Sequence, residues 1–590
     1  MPESPLTDVR LRLIEDVQDA VELMSWLGER REGPLAIDTE SGGLDPFRHR
    51  LRMVQVGDLH TGWSIPWERW GGVALEVMNK YQGDWVAHHG CFDWRFLKVH
   101  TGFKLPWTKL DDTMTMAGLD DPLRPKGLKP LSKLLVDRSA VAGEQALKSG
   151  MSDNKWTWNT VPVDYPPFWI YSALDPVLTA HLHKYLKPRV MTSAPAAYDL
   201  ERSANRNCAL MMMHGLALDV PYVEKAIENY RESSEKIRKW LDEAHGITSP
   251  MSGGQLARAF TGFGEEIRSY TDQGAPQFNK ESLSYYEAYG LTAESRQLAK
   301  YILAVRHIEK MIRSYLENFL ELKDDNDVIH ASVNVMAART GRMSVTDPAL
   351  QTLPRDDKVI RGSFIPRPGH VFISCDLDQV EARLAAHFSQ DEGLIQAFHD
   401  ADHGGLDFFC QVASGIFGEP IEKGDNRRQL TKNTVYGSLY SAGVETMART
   451  AGIPVEQMTP VKQAFDMRFP GLRRLSNQVT ADSRRNDPPS ITSPLGRRLV
   501  ADRGREGTQM LNALIQGAAA EYAKQCLVQI DAAGLGDAMR LVVHDEVILE
   551  VPVGDAPDAL KVVEEAMSDR ENYRVPLTAG GKIMAERWQK

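Results

Sequence analysis

Cysteine is scarce: five residues (Cys91, Cys208, Cys375, Cys410, Cys526) lie far apart in a chain of 590, with no Cys-x-x-Cys pair. An odd, scattered set argues against a disulfide framework and a structural zinc site, and reads as reduced thiols. No run of about 18 apolar residues occurs, so no spanning helix is expected. Residues 1–12 carry charges where a secretion signal needs an apolar centre. A cytoplasmic location with no membrane partner is the expectation. Excess positive charge is missing too: 69 Lys and Arg against 80 Asp and Glu give −11. A surface that neutralises phosphates is usually basic, so charge alone does not point to nucleic acid. Basic groups do gather locally, at Arg427-Arg428, Arg484-Arg485, Arg497-Arg498 and Arg503 to Arg505. Internal repeats and long low-complexity tracts are also absent.

What is present is the length of roughly three to four domains, with the 42% hydrophobic and 25% charged residues of an ordinary soluble globular protein. A Pro/Ala/Ser-rich stretch, Pro188 to Ala197, is the best linker candidate. Before it, Leu35-Ala36-Ile37 and Met53 to Val56 read as strands among helical segments, an α/β layer. After it, Val223, Ile227, Tyr230, Ile237 and Leu241 share one helical face. Leu298, Ile302, Val305, Ile308, Ile312, Tyr315 and Phe319 keep a helical step throughout. The pair fits an extended antiparallel arm or an ordinary helical domain equally well. Val371 to Cys375 reads as a buried strand. Leu541 to Val543 and Val547 to Val551 read as strands flanking a tight tip, His544-Asp545-Glu546.

Two constellations carry chemistry. Asp38 and Glu40 end an apolar strand, and residues two apart on a strand face one way. Asp93 follows within His89-Gly90-Cys91-Phe92-Asp93, and Tyr171 and Asp175 lie one helical turn apart. Several carboxylates on one site suit hard divalent ions that activate water and stabilise a leaving 3′-oxygen. Singly, each piece is most often a solvated surface group. In this order and spacing, from about Ala36 to Leu182 and including Gly43-Leu44, they resemble the DEDDy 3′–5′ exonuclease family. The resemblance implies metal ligands Asp38, Glu40, Asp93 and Asp175, with Tyr171 positioning the attacking water. His89 stands where that family usually has asparagine.

The second constellation begins with Asp376-Leu377-Asp378-Gln379-Val380-Glu381, directly after the buried strand. Then Arg428, Lys432, Tyr436 and Tyr440 recur at a step of four, a row on one helix face. Cations suit a triphosphate and aromatics a base and sugar. His544-Asp545-Glu546 comes last. From about Ala337 to the C-terminus these segments resemble the three signature motifs of family A (polymerase I type) DNA polymerases. The resemblance implies catalytic metal ligands Asp376 and Asp545, with Glu546 auxiliary and His544 near the primer end. It implies a nucleotide site of Arg428 and Lys432 on the phosphates, Lys432 also protonating pyrophosphate. Tyr436 would pack on the nucleotide, Tyr440 lie near the template base, and Glu381 act as a steric gate under the sugar. Thr340-Gly341-Arg342 resembles the primer-contact region, and Arg497, Asn512 and Gln516 fall where minor-groove donors are expected. Asp407, ahead of Phe417-Gly418, resembles the fingers entry. Asp378, Phe409 and Ser441 depart from the family pattern, which has a small or hydroxyl residue, a histidine and a glycine there.

The implied architecture is an α/β, RNase H-like exonuclease domain (1–190), then an α+β right-hand polymerase domain (200–590). The latter divides into a thumb (about 200–330), a palm (about 331–390 and 476–590) and fingers (about 391–475). The activity implied is template-directed DNA synthesis from a primer 3′-hydroxyl with 3′–5′ proofreading, using two Mg²⁺ per site, Mn²⁺ being a possible substitute. Primer-template DNA and dNTPs are the partners, the chain acts as a monomer, and a thioredoxin-type processivity factor is not expected. A first exonuclease strand near residue 35 leaves no room for a 5′ nuclease, which points to a bacteriophage enzyme. A nuclease with a non-catalytic DNA-binding half, a single-subunit RNA polymerase and a non-catalytic scaffold fit less well. The first would not need Asp376, Asp545, Lys432 and Arg428 together, and the second would lack both the proofreading domain and Glu381.

Overall fold

In the computed structural model, which describes residues 5–30, 33–354 and 357–589, the N-terminal region is built on a mixed six-stranded sheet. Its strands are β1 (Arg10–Leu13), β2 (Leu35–Ser41), β3 (Leu51–Gly57), β4 (Thr61–Pro66), β5 (Trp85–Ala87) and β6 (Leu110–Asp112), ordered β1-β4-β3-β2-β5-β6. β2 pairs antiparallel with β3 and parallel with β5, and a register shift falls between Glu40 and Ser41. The sheet begins at residue 10, earlier than the apolar pattern near 35 indicated, because β1 alternates arginine with leucine and pairs only at the edge with β4.

The 28-residue helix Pro166–Ser193 lies across the sheet. Gly62 on β4 makes this approach possible: a Cβ there would meet the Ala173 carbonyl oxygen at 1.8 Å. The expected linker is not one. The helix runs through Pro188 to Ser193, and a second helix starts at Pro195 and continues to His214. A mid-helix proline gives up one backbone bond. Here Leu186, Val190, Ala194, Ala197 and Tyr198 are all buried in one core with Leu119 and Leu131, and that burial outweighs the lost bond.

The chain divides into two compact units. One unit comprises Met1–His214, Val333–Val345 and Ile373–Ile583. Besides the first sheet it holds a four-stranded sheet, in which Glu546–Pro552 is flanked by Met539–Val543 and His370–Leu377, with Ala579–Met584 outermost. The long helix Glu506–Ile530 packs beside Pro470–Ser483 and Val380–Ser389.

The other unit comprises Gly215–Ser332, Thr346–Phe372 and Met584–Lys590. Helix Val220–His245 packs against Ala293–Met311, with the Trp240 and Tyr301 rings edge to face at 4.7 Å. The second helical pattern continues past Met311 through one wide turn, Ile312–Leu316, into Glu317–Leu322. That turn absorbs a residue without breaking the buried face. The segment Thr248 to Phe278 contains helix Gly253–Gly262, whose Phe260 stacks on Phe278 and Tyr286. That packing holds a helix with three glycines in ten residues, a composition of low helix propensity.

Candidate active sites

At the first site β2 presents Asp38 and Glu40, and helix Pro166–Ser193 presents Asp175, with Tyr171 one turn before it. One carboxylate oxygen from each of Asp38, Glu40 and Asp175 lies within 4.8 Å of the others. Three hard oxygen donors at that spacing fit a divalent cation. Asp93, on helix Gly90–Thr101, is buried but stands outside this trio; its Oδ1 accepts from Thr39 Oγ1 at 2.7 Å. His89 begins that helix with φ +67, a backbone that asparagine and histidine tolerate better than most residues. The departure from asparagine therefore keeps the local turn.

Burial first, and then the neighbouring acids, raises the proton affinity of the cluster. Glu40 is pushed up to about 8, by burial and then by Asp175. Asp93 is pushed up to about 7 by burial, while Asp38 and Asp175 are raised for the same first reason. Tyr171 is also raised, by burial and then Asp175, so its phenol stays neutral. Sequence reasoning missed Lys129. Its ammonium bonds Asp175 Oδ1 and sits 4.0 Å from the centre of the Tyr171 ring.

These shifts set a sign for stability. A folded chain whose acids hold protons that the unfolded chain has released loses stability as pH rises. Between the unfolded value of 4.5 and the folded value of about 8 for Glu40, the chelator-treated protein will become less stable. Denaturant unfolding at pH 5.5 and pH 8 in chelator checks this, and Mg²⁺ at pH 8 will reverse the loss. Stability that rises across this window would contradict the cluster's electrostatics.

At the second site Asp376 is the penultimate residue of strand His370–Leu377, and the hairpin tip is His544-Asp545, with Glu546 already the first residue of its strand. The Leu377 N–H donates to the Asp545 carbonyl at 3.2 Å, which ties the two aspartates' backbones together. Glu546 turns inward and accepts from Ser374 Oγ at 2.5 Å. Ser374 and Asp376 share a strand face, so Glu546 supports the site from below. Asp378 is engaged elsewhere: Thr578 Oγ1 donates to its carboxylate at 2.9 Å. Among the described residues, no third acid joins Asp376 and Asp545 in a trio like that of the first site.

The fingers row is carried by helix Asn426–Leu439, which ends before Tyr440; that residue is its C-cap. Ser441 follows with φ +50, the conformation that makes glycine the usual choice. Phe409 is the floor of the row. Its ring lies 5.7 Å from the Arg428 guanidinium, 5.6 Å from Lys432 Nζ and 5.9 Å from the Tyr436 ring. Asp407 caps helix Phe408–Phe417 and accepts from Arg428 Nε at 3.0 Å. Glu381 is buried, bonded by Arg342 on one oxygen and by the Tyr440 hydroxyl on the other at 2.7 Å.

Among the expected DNA contacts, Asn512 and Gln516 are half-buried on helix Glu506–Ile530, and His544 is exposed at the hairpin tip. Arg497 is a correction. It is 2% exposed and bonded to Glu201, with Glu521 at 3.6 Å. Lys524 and Glu201 complete this internal network, so Arg497 offers no donor to a groove. The remaining arginine clusters are paired with acids: Arg427 with Asp425 and Glu419, Arg484 with Glu506, Arg503 with Asp487.

Comparison with known proteins gives this geometry its context. Residues 220–590 match the family model described as DNA polymerase family A, and residues 12–191 match one described as 3′-5′ exonuclease. A DNA polymerase of Mycobacterium phage D29 is 29% identical over 584 residues, covering 95% of this chain and 94% of the relative. DNA polymerase I of Chloroflexus aurantiacus is 28% identical, and the match covers 96% of this chain but 62% of that longer protein. Among solved structures, the polymerase domain of Pol1 from M. smegmatis, in complex with DNA primer-template and dNTP, shares the fold. Its TM-score is 0.79 at 23% identity, covering 98% of this chain and 99% of that one. The chain belongs to DNA polymerase family A, a template-directed DNA polymerase with a 3′–5′ exonuclease domain ahead of its polymerase domain.

Proposed function

We propose that synthesis takes place at Asp376 and Asp545 and proofreading at Asp38, Glu40, Asp93 and Asp175. The observation that carries the reading is the carboxylate trio Asp38, Glu40 and Asp175, set in the same chain as the tied pair Asp376 and Asp545. Divalent ions, Mg²⁺ by preference and Mn²⁺ as substitute, would be held by these acids and supply charge stabilisation at the reacting phosphate. The protein's own groups do the positioning. Arg428 and Lys432 bind the triphosphate, and Lys432 gives its proton to departing pyrophosphate. Glu381 walls the sugar, Tyr436 packs on the nucleotide and Tyr440 lies by the template base. Arg342, Asn512, Gln516 and His544 meet the primer-template duplex. Tyr171, as a neutral phenol, orients the water that attacks a mispaired 3′ end. The exposed arginine–carboxylate pairs are weak and exchange readily for phosphates, which reconciles DNA binding with a net charge of −11.

The chain acts as a monomer, and the phage relatives favour a bacterial cytoplasm as its setting. Residues 220–322 are mostly helical, with one longer connection at 263–279 that folds back through the Tyr270–Pro276 bridge, which offers little for a processivity partner to dock on. Added thioredoxin will leave product length on a primed single strand unchanged; longer products would contradict this.

Tyr436 decides how terminators are handled. A tyrosine hydroxyl can fill the space left by a missing 3′-hydroxyl and supply a polar partner. A buried group left unpaired costs roughly 1–3 kcal/mol, so Tyr436→Phe will raise discrimination against dideoxynucleotides about 10- to 100-fold. Single-turnover dideoxy and deoxy incorporation rates in an Asp38→Ala background measure this, and equal discrimination removes Tyr436 from the nucleotide site.

A further inference from the structure

The exonuclease carboxylates contain a lysine that no part of the reaction described above uses. Lys129 lies on helix Leu128–Leu135 and is 6% exposed. Its ammonium bonds Asp175 Oδ1 and rests on the face of the Tyr171 ring, 4.0 Å from its centre. It is also the cation that offsets the repulsion acting on Asp38 and on Glu40. Acids whose oxygens lie within 4.8 Å of one another repel strongly in a dry site, and a buried ammonium is costly unless paired. Each charge therefore makes the other tolerable.

An ion held by Asp38, Glu40 and Asp175 draws on the carboxylate that Lys129 already occupies. A divalent cation and an ammonium at the same carboxylate repel each other. Lysine is a point charge on a flexible stem, so it can leave Asp175, and the aromatic face of Tyr171 gives it a seat once it has done so. We propose that Lys129 is a resident counter-ion of the exonuclease site, holding Asp175 while no metal is bound and yielding it when a divalent cation enters. It thereby sets the metal concentration at which proofreading becomes available, and it is a positioning residue for Tyr171 and Asp175. The inference rests on the assignment of the metal site to Asp38, Glu40 and Asp175.

The test uses the full chain carrying Asp545→Ala, so that Mn²⁺ binding by calorimetry reads the exonuclease site. Lys129→Met, of similar length but uncharged, will bind Mn²⁺ at least tenfold more tightly and will melt at a lower temperature in chelator. Lys129→Arg, which keeps the charge, will stay close to its parent on both measurements. If Lys129→Met does not fold, Lys129→Gln carries the same comparison. Mn²⁺ binding that is unchanged or weaker in the uncharged variant overturns the proposal. An added Asp38→Ala separates the two failures. If Asp38→Ala removes Mn²⁺ binding while loss of the Lys129 charge leaves affinity unaltered, the counter-ion role alone fails. If Asp38→Ala leaves Mn²⁺ binding intact, the metal site is misassigned and the counter-ion role falls with it.

Discussion

Asp545→Ala will stop primer extension while leaving 3′–5′ digestion intact, and Asp38→Ala will do the reverse. Asp545 stands at a two-residue tip whose carbonyl is tied to Leu377, next to Asp376. Removing its carboxylate takes away half of the acid pair without disturbing that backbone bond. Loss of about 4 kcal/mol of transition-state stabilisation is roughly 10³-fold in rate, and a deleted metal ligand is expected to cost at least that. Asp38 contributes one of the three oxygens of the other cluster, so its removal strikes proofreading alone. One assay reads both: a labelled, recessed duplex incubated with and without dNTPs. A folded variant in which a single substitution abolishes both activities would overturn the two-site assignment.

Glu381→Ala will admit ribonucleotides at least tenfold more readily relative to deoxynucleotides. A pocket that merely tolerates a substrate rejects an added hydroxyl by only about 10²-fold, so strong sugar selection needs a filled, rigid wall. The carboxylate of Glu381 is made rigid from both sides, by Arg342 and by the Tyr440 hydroxyl. Tyr440→Phe removes one of those restraints and will relax selection in the same direction by a smaller factor. Competition between ribo- and deoxynucleotides at a single template position gives both numbers. Unchanged selectivity in Glu381→Ala would take Glu381 out of the gate.

The parts of these sites that were legible in the sequence are those fixed by local period. Strand alternation gave Asp38 and Glu40 a common face, and helical spacing put Tyr171 one turn from Asp175. A buried strand and a tight tip placed Asp376 and Asp545. What escaped reading depends on tertiary contact. Lys129 is one of several lysines in Lys126 to Lys133, and nothing local says which is buried. Arg497 and Arg498 are neighbours, yet Arg497 lies just before a strand that Arg498 opens. Arg498 is half-buried in the strand Arg498–Val500, whereas Arg497 points into the protein against Glu201. Pro188 read as a break because proline usually is one; burial of Leu186 and Val190 on the opposite face of the helix decided otherwise. The bond that Thr39 Oγ1 donates to Asp93 joins residues 54 apart and has no local signal either.

The buried network of Glu201, Arg497, Glu521 and Lys524 bears on where this chain could be cut. Glu201 lies on the helix Pro195–His214, ahead of every polymerase motif, yet its carboxylate answers Arg497 and Lys524, which are 2% and 0% exposed. Leaving a buried charge without its partner costs about 3–5 kcal/mol. A polymerase half begun after this helix would take the carboxylate away from Lys524 and leave Arg497 to Glu521 at 3.6 Å, whereas one begun at Pro195 would keep both cations answered. The same helix also buries Ala197 and Tyr198 against Leu119 and Leu131 of the N-terminal region, so it belongs to both halves, and a cut on either side of it breaks one of them.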